Sequence, residues 1–199
     1  MNRPARPAFF FDRDGTLNRE IEGALSSPEQ LELFADAAEA VRLVNQAGWF
    51  AVVVSNQSAI ARGWMTHYEL ERVQAELERR LAAGGARLDL ALSCPHLEDD
   101  GFAPYRRPCA CRKPAPGLLR RAAERLEIDL ARSWLAGDAL RDLAAAEAAG
   151  AASILVRTGK GKREEARLGE PGSPRPRAVV DGVAAAVRFA LAQGLAPGA

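Results

Sequence analysis

The sequence predicts an α/β fold, a parallel β-sheet carrying helices. Short apolar runs rich in β-branched or aromatic residues alternate with stretches of helical spacing along the chain, as successive strand–helix units require. No internal repeat or linker divides the 199 residues, so a single domain is expected over 1–199. Three expected strands run into polar, chemistry-bearing residues at their carboxyl ends, Asp12, Ser55 and Asp138, which is where open parallel sheets bind ligands.

The elements follow in chain order. Ala8–Phe11 reads as a buried first strand ending at Asp12. Residues 36–47 carry Ala37, Val41 and Val44 at helical spacing, with Gly48 as the stop. Phe50–Ser55 is a strongly β-branched second strand. Thr66–Ala82 is a helix in which Thr66 and Glu69 form a capping box. Leu88–Ser93 gives a third strand, followed by an irregular segment over 94–115. Pro116–Leu126 reads as helix with proline in its first turn. Ser133–Ala136 is strand four, Ala139–Ala149 a helix stopped by Gly150, and Ala152–Val156 strand five. Residues 159–177, rich in Gly, Pro and charge, read as loop. Ala178–Val180 adds a short strand before a last helix over 182–192.

Composition excludes several classes. Lys plus Arg is 27 and Asp plus Glu 26, so a net charge of +1 gives no general attraction to nucleic acid or acidic membranes. The longest apolar run, Trp49–Val54, is far shorter than the roughly 20 residues of a membrane helix. Only four apolar residues, Ala8–Phe11, separate the amino-terminal stretch from Asp12, too few for a signal peptide. A monomeric cytoplasmic protein is the expectation.

Chemistry concentrates at the strand ends. Asp12 and Asp14 flank one residue where the chain leaves the first strand, and Gly15 permits the tight turn that follows. Asp138 follows the fourth strand, with Asp142 four residues on. Asp and Gly favour turns anyway, but an acidic turn does not account for carboxylates at two strand ends. Clustered carboxylates repel, and a hard divalent cation such as Mg2+ relieves that repulsion through oxygen ligands. One carboxylate can attack phosphorus while a second moves protons.

A second cluster stands apart. Cys94-Pro-His96 and Cys109-Ala-Cys111 use every cysteine and one of two histidines within residues 94–111. An odd number of cysteines fits a disulfide framework poorly. Three thiols and an imidazole match a closed structural Zn2+ site. Metal binding would order a polar loop holding Asp99, Asp100, Pro104 and Pro108 that lacks apolar content to fold alone. It would also pin Arg112 and Lys113 against the active edge. Arg106, Arg107, Arg112 and Lys113 form a basic run better suited to a small anion than to nucleic acid, since only Tyr105 could serve as an aromatic platform.

Asp12-x-Asp14-Gly15-Thr16, Ser55, Lys113 and Gly137-Asp138-x-x-x-Asp142 together resemble the four motifs of haloacid dehalogenase-type (HAD) phosphatases. That resemblance implies a Rossmann-like sheet with helices on both faces. It implies Asp12 as the nucleophile that becomes phosphoaspartate, Asp14 as general acid/base, and Ser55 and Lys113 as holders of the phosphoryl group. Mg2+ would be bound by the Asp12 carboxylate, the Asp14 carbonyl and Asp138, with Asp142 supporting the site. The run Cys111-Arg112-Lys113-Pro114 is similar to the branch holding heptose 1,7-bisphosphate 7-phosphatases and histidinol-phosphate phosphatases. Ser55–Gly63 and Val156–Gly161 favour the heptose side, with removal of the C7 phosphate as the implied reaction. Asn56, Gln57, Ser58, Arg112, Glu20 and Gly23 are the implied substrate contacts. The chain departs from the branch at Ala24, Ala59 and Ala139, the last standing where a lysine is common. Residues 17–54 leave no space for a large cap domain, so an open site walled by the zinc loop is expected for a small phosphorylated sugar. A phospho-receiver module shares strand-end acids but does not need Asp14. A nucleic-acid end-repair phosphatase is opposed by the missing basic groove.

Overall fold

The structure, a computed structural model, describes residues 5–193. Residues 1–4, where the amino-terminal reading begins, and 194–199, the end of the expected domain, lie outside the described residues. Strands β1 (Ala8–Phe11), β2 (Phe50–Asn56), β3 (Leu90–Cys94), β4 (Trp134–Gly137), β5 (Ala152–Val156) and β6 (Ala178–Val180) form one sheet in the order 3-2-1-4-5-6. Every pairing is parallel. This is the doubly wound order, and its topological switch point falls where β1 is flanked by β2 and β4.

Burial on both faces explains the continuous apolar strands. Phe9 and Phe11 of β1, Ala51 and Val53 of β2, and Trp134 and Ala136 of β4 enter one core. That core is completed by α1 (Ala37–Gln46), α2 (His67–Ala83) and α6 (Val183–Ala192). Ala8, Phe10, Val52, Val54 and Leu135 enter the opposite core with α3 (Gly117–Leu126) and α4 (Leu140–Ala149). The expected helices on both faces are present. The Thr66 capping box forms, Glu69 N–H donating to Thr66 Oγ1 at 3.1 Å and Thr66 N–H to Glu69 Oε2 at 2.7 Å. Among the described residues no helix is long and apolar enough to cross a membrane.

Several boundaries shift by one or two residues from expectation. Three short helical segments were not expected, the 3-10 turns Pro28–Gln30 and Leu130–Arg132 and one helix further on. β3 starts at Leu90 because the Asp89 carboxylate accepts the Ala51 N–H at 2.9 Å, and it reaches Cys94, which pairs with Asn56 and so lengthens β2. Within the expected loop 159–177, Gly161–Glu165 forms a short helix, α5. Five residues are too few to show a helical period in sequence. Arg157 fixes this turn by a fork to Glu165 at 2.7 and 2.8 Å.

Candidate active site and metal centre

The chain leaves β1 with Asp12 N–H donating to Ala136 O of β4 at 2.9 Å, then closes a turn through Leu17 N–H to Arg13 O at 2.9 Å. Gly15 lies at φ +87°, and a Cβ there would fall 2.1 Å from Asp138 Oδ2. Only glycine lets the β1 turn press against the β4 carboxylate. Carboxylate oxygens of Asp12, Asp138 and Asp142 consequently lie within 4.8 Å of one another, all buried.

Lys113 reaches this cluster from the far side of the cysteine loop. Its backbone is clamped to β2 by Asn56, which donates to Lys113 O and accepts from Lys113 N–H, each at 3.0 Å. Its buried ammonium meets three oxygens: Asp12 Oδ1 at 2.5 Å, Asp142 Oδ1 at 2.6 Å and Val54 O at 2.8 Å. Burial opposes its charge, but the two carboxylates win and raise its pKa above the usual lysine range. Asp142 also receives Ala139 N–H on Oδ2 at 3.2 Å, capping α4, so its position supports Lys113 and the helix together.

Burial pushes Asp12 up to about 6 in spite of Lys113. Burial and the neighbouring Asp12 push Asp138 up to about 7. Asp138 Oδ2 accepts Lys160 N–H at 2.8 Å, while Oδ1 is buried with no partner among the described residues. An orphaned buried carboxylate oxygen beside two further carboxylates is a donor set that fits a hard divalent cation, Mg2+ included. Asp14 is held differently. Burial would raise its pKa, but Arg13 at 2.9 and 3.1 Å, Asn18 at 2.9 Å and Gln57 at 2.8 Å hold it below the ordinary carboxylate value.

A cleft of about 280 Å3 lies against the chain neighbours of the cluster, Arg13, Arg112 and Arg141 among them. Asp14 and the six expected substrate contacts, Glu20, Gly23, Asn56, Gln57, Ser58 and Arg112, all line it. The buried Asp12, Lys113, Asp138 and Asp142 do not, and neither does Ser55. Ser55 is buried, accepts from Gln57 Nε2 at 2.7 Å and borders a crevice under α2 that shares Arg13 and Gln57 with the cleft. Sequence reasoning missed Lys160, which pairs with Glu20 at the cleft, and Arg141 on the same wall. The glycines and charges around 160 gave the only available hint.

The second cluster also assembles. Cys94 Sγ lies 3.0 Å from Cys111 Sγ, 3.5 Å from Cys109 Sγ and 3.6 Å from His96 Nδ1. Cys111 Sγ lies 3.3 Å from that nitrogen and 3.5 Å from Cys109 Sγ. A tetrahedral zinc with bonds of about 2.0–2.3 Å needs ligand separations of about 3.5–3.8 Å, so a slight expansion admits the ion. Arg107 lies 3.0 Å from His96 Nε2. With Nδ1 on a metal, Nε2 carries the proton, and this exposed arginine must turn to solvent. α3 abuts the loop through Gly117, whose added Cβ would fall 2.1 Å from Ala110 O. Protein purified without chelator is expected to hold about one zinc per chain. Stripping it should lower Tm by several degrees and open residues 94–113 to protease. Unchanged Tm and proteolysis after removal would refute a structural role.

Comparison with known proteins agrees with this geometry. The HAD-hydrolase-like family model matches residues 110–186. D-glycero-β-D-manno-heptose-1,7-bisphosphate 7-phosphatase of Pseudomonas aeruginosa is 38% identical over 189 residues, covering 95% of this chain and 99% of that protein. The protein of the same name from Escherichia coli K12 is 40% identical over 155 residues, 77% of this chain and 81% of its own. The crystal structure of D,D-heptose 1,7-bisphosphate phosphatase from Bordetella bronchiseptica, complexed with magnesium and phosphate, superposes with a TM-score of 0.82. It is 36% identical and covers 94% of this chain and 99% of that one. A fold, a carboxylate–lysine cluster and relatives matched almost end to end converge, and the chain belongs to the HAD-like family of D-glycero-β-D-manno-heptose-1,7-bisphosphate 7-phosphatases.

Proposed function

We propose that this protein is a Mg2+-dependent phosphatase that removes the C7 phosphate of D-glycero-β-D-manno-heptose 1,7-bisphosphate through a phosphoaspartate on Asp12. The observation that carries the reading is the buried Asp12–Lys113–Asp142 ion cluster beside the orphaned oxygen of Asp138, with Asp14, two residues beyond Asp12, lining a cleft of about 280 Å3. Asp12, Asp138 and the Asp14 carbonyl would hold Mg2+, which when bound cancels negative charge on the reacting phosphoryl oxygens.

Lys113 engages Asp12 Oδ1, leaving Oδ2 to attack phosphorus. The bond from phosphorus to the C7 oxygen breaks, and that oxygen takes its proton from Asp14. Water, deprotonated by Asp14, then attacks phosphorus, releases inorganic phosphate and restores the Asp12 carboxylate. The bonds from Arg13, Asn18 and Gln57 keep Asp14 ionised, which suits the base step. For the acid step it must leave them, regain affinity for a proton and turn into the cleft. Arg112 stands at the cleft wall for the remaining anionic and hydroxyl groups of the sugar. We infer a monomer in a cytoplasm reducing enough to keep three thiols available for zinc.

The test is kcat/KM measured in parallel on both anomers of the heptose bisphosphate and on histidinol phosphate. The β-anomer is expected to lead by at least about tenfold, a difference of about 1.4 kcal/mol at the transition state. Preference for histidinol phosphate, or a single turnover per chain, would overturn the assignment.

A further inference from the structure

Every cation at the cleft except one is already engaged. Arg13 holds Asp14, Arg62 holds Asp100 at 2.9 Å, Lys160 holds Glu20, and Arg112 donates to His96 O at 3.2 Å. Arg141 lines the same cleft and makes no hydrogen bond or ion pair with any described residue, and its Nε is buried without a partner. It sits in the first turn of α4, where the helix dipole disfavours a cation. What compensates it is the field of Asp142, Asp12, Asp138 and Glu20, with none of which it forms an ion pair. Residue 139, directly after Asp138, is alanine and offers no charge of its own.

Charge balance says what Arg141 is for. The Lys113 ammonium and a divalent ion together cancel the three carboxylates of the floor, so a phosphomonoester dianion entering the cleft meets no net positive charge from them. We propose that the Arg141 guanidinium grips non-bridging oxygens of the transferring phosphoryl group, making it a substrate-contacting residue of the phosphatase reaction proposed above. Its donors reach the phosphorus-bound oxygens from α4, in the same cleft that Arg112 lines. No bond is made or broken at Arg141. It binds the anion in the substrate, in phosphoaspartate and in released phosphate alike.

That last property supplies the test. Binding of inorganic phosphate to the zinc-loaded, full-length protein with Mg2+ is measured by 31P NMR and by competitive inhibition of p-nitrophenyl phosphate hydrolysis. Arg141→Ala and Arg141→Gln are compared with wild type, alongside kcat/KM on the heptose bisphosphate. Loss of a charge-assisted contact predicts phosphate affinity about 10–100-fold weaker. A similar loss of kcat/KM is expected on both substrates, with Tm and zinc content unchanged. Arg141→Lys, which keeps the charge without the fork, should recover part of it. Unchanged phosphate affinity in folded Arg141→Gln overturns the proposal. So does a loss confined to the heptose substrate, which would put the guanidinium on the sugar or its distal phosphate. Wild-type protein that binds phosphate but does not turn over heptose bisphosphate would instead overturn the substrate assignment and leave Arg141 to be judged on phosphate affinity.

Discussion

Asp12→Asn is expected to lower kcat by at least about 10^4-fold, the scale seen when a covalent nucleophile is removed, without loss of folded protein. An asparagine oxygen can still accept from Lys113 Nζ where Asp12 Oδ1 does now, so the floor keeps its geometry. The NH2 group then occupies the place of Oδ2, and an amide nitrogen, its lone pair delocalised, does not displace an alkoxide from phosphorus. Stability should not fall, because one of three mutually repelling buried carboxylates is gone. Phosphate release under multiple turnover gives the rate, and acid-quenched protein examined by mass spectrometry gives the intermediate. Wild type should carry phosphate on residue 12 and the variant none. Turnover by the variant within tenfold of wild type, or label on another residue, would remove Asp12 from the chemistry.

The fold was legible because two-sided burial leaves runs such as Phe50–Ser55 with almost no polar interruption, and because Gly48 and Gly150 mark helix ends at positive φ. Asp12, Asp14 and Asp138 were legible because a carboxylate directly after a buried strand is placed at the sheet edge by topology alone. The cluster of Cys94, His96, Cys109 and Cys111 was legible from two short pairs. The direction in which Ser55 points was not legible. Side chains alternate along a strand, and β2 runs one residue further than expected, to Asn56. Ser55 shares the face of Val53 and borders the crevice under α2, while Asn56 turns to Lys113. Arg141 and Lys160 were hidden for another reason. Whether a lone cation in a helix turn or a glycine-rich loop meets the cleft depends on how that segment is docked, and no local pattern encodes docking. The grip of Arg13, Asn18 and Gln57 on Asp14 is likewise tertiary, since Gln57 arrives from the end of another strand.

Lys113→Met is the second large effect, and here stability responds together with rate. The ammonium is wholly buried between Asp12 and Asp142, so methionine leaves two carboxylates in an apolar setting with no countercharge. Breaking one partner of a buried ion cluster costs about 3–5 kcal/mol. The loss must depend on pH. Burial holds Asp12 at about 6 even with the lysine present, and removing a cation can only raise it further. A carboxyl whose folded pKa exceeds its unfolded value contributes stability that is complete below the unfolded pKa and vanishes as pH rises through the folded one. The variant should therefore lie close to wild type near pH 4–5 and fall away towards pH 8, as urea titrations at the two ends would show. Two further outcomes are tied to the same cause. Mg2+ should stabilise the variant more at pH 8 than at pH 5, since a divalent ion supplies part of the missing charge. Lys113→Met combined with Asp142→Asn should lose less than the single variant, because the pair acts as one unit. A deficit equal at both pH values would mean that the methionine is felt through packing alone, and the carboxylates would then not be the charges that Lys113 is there to hold.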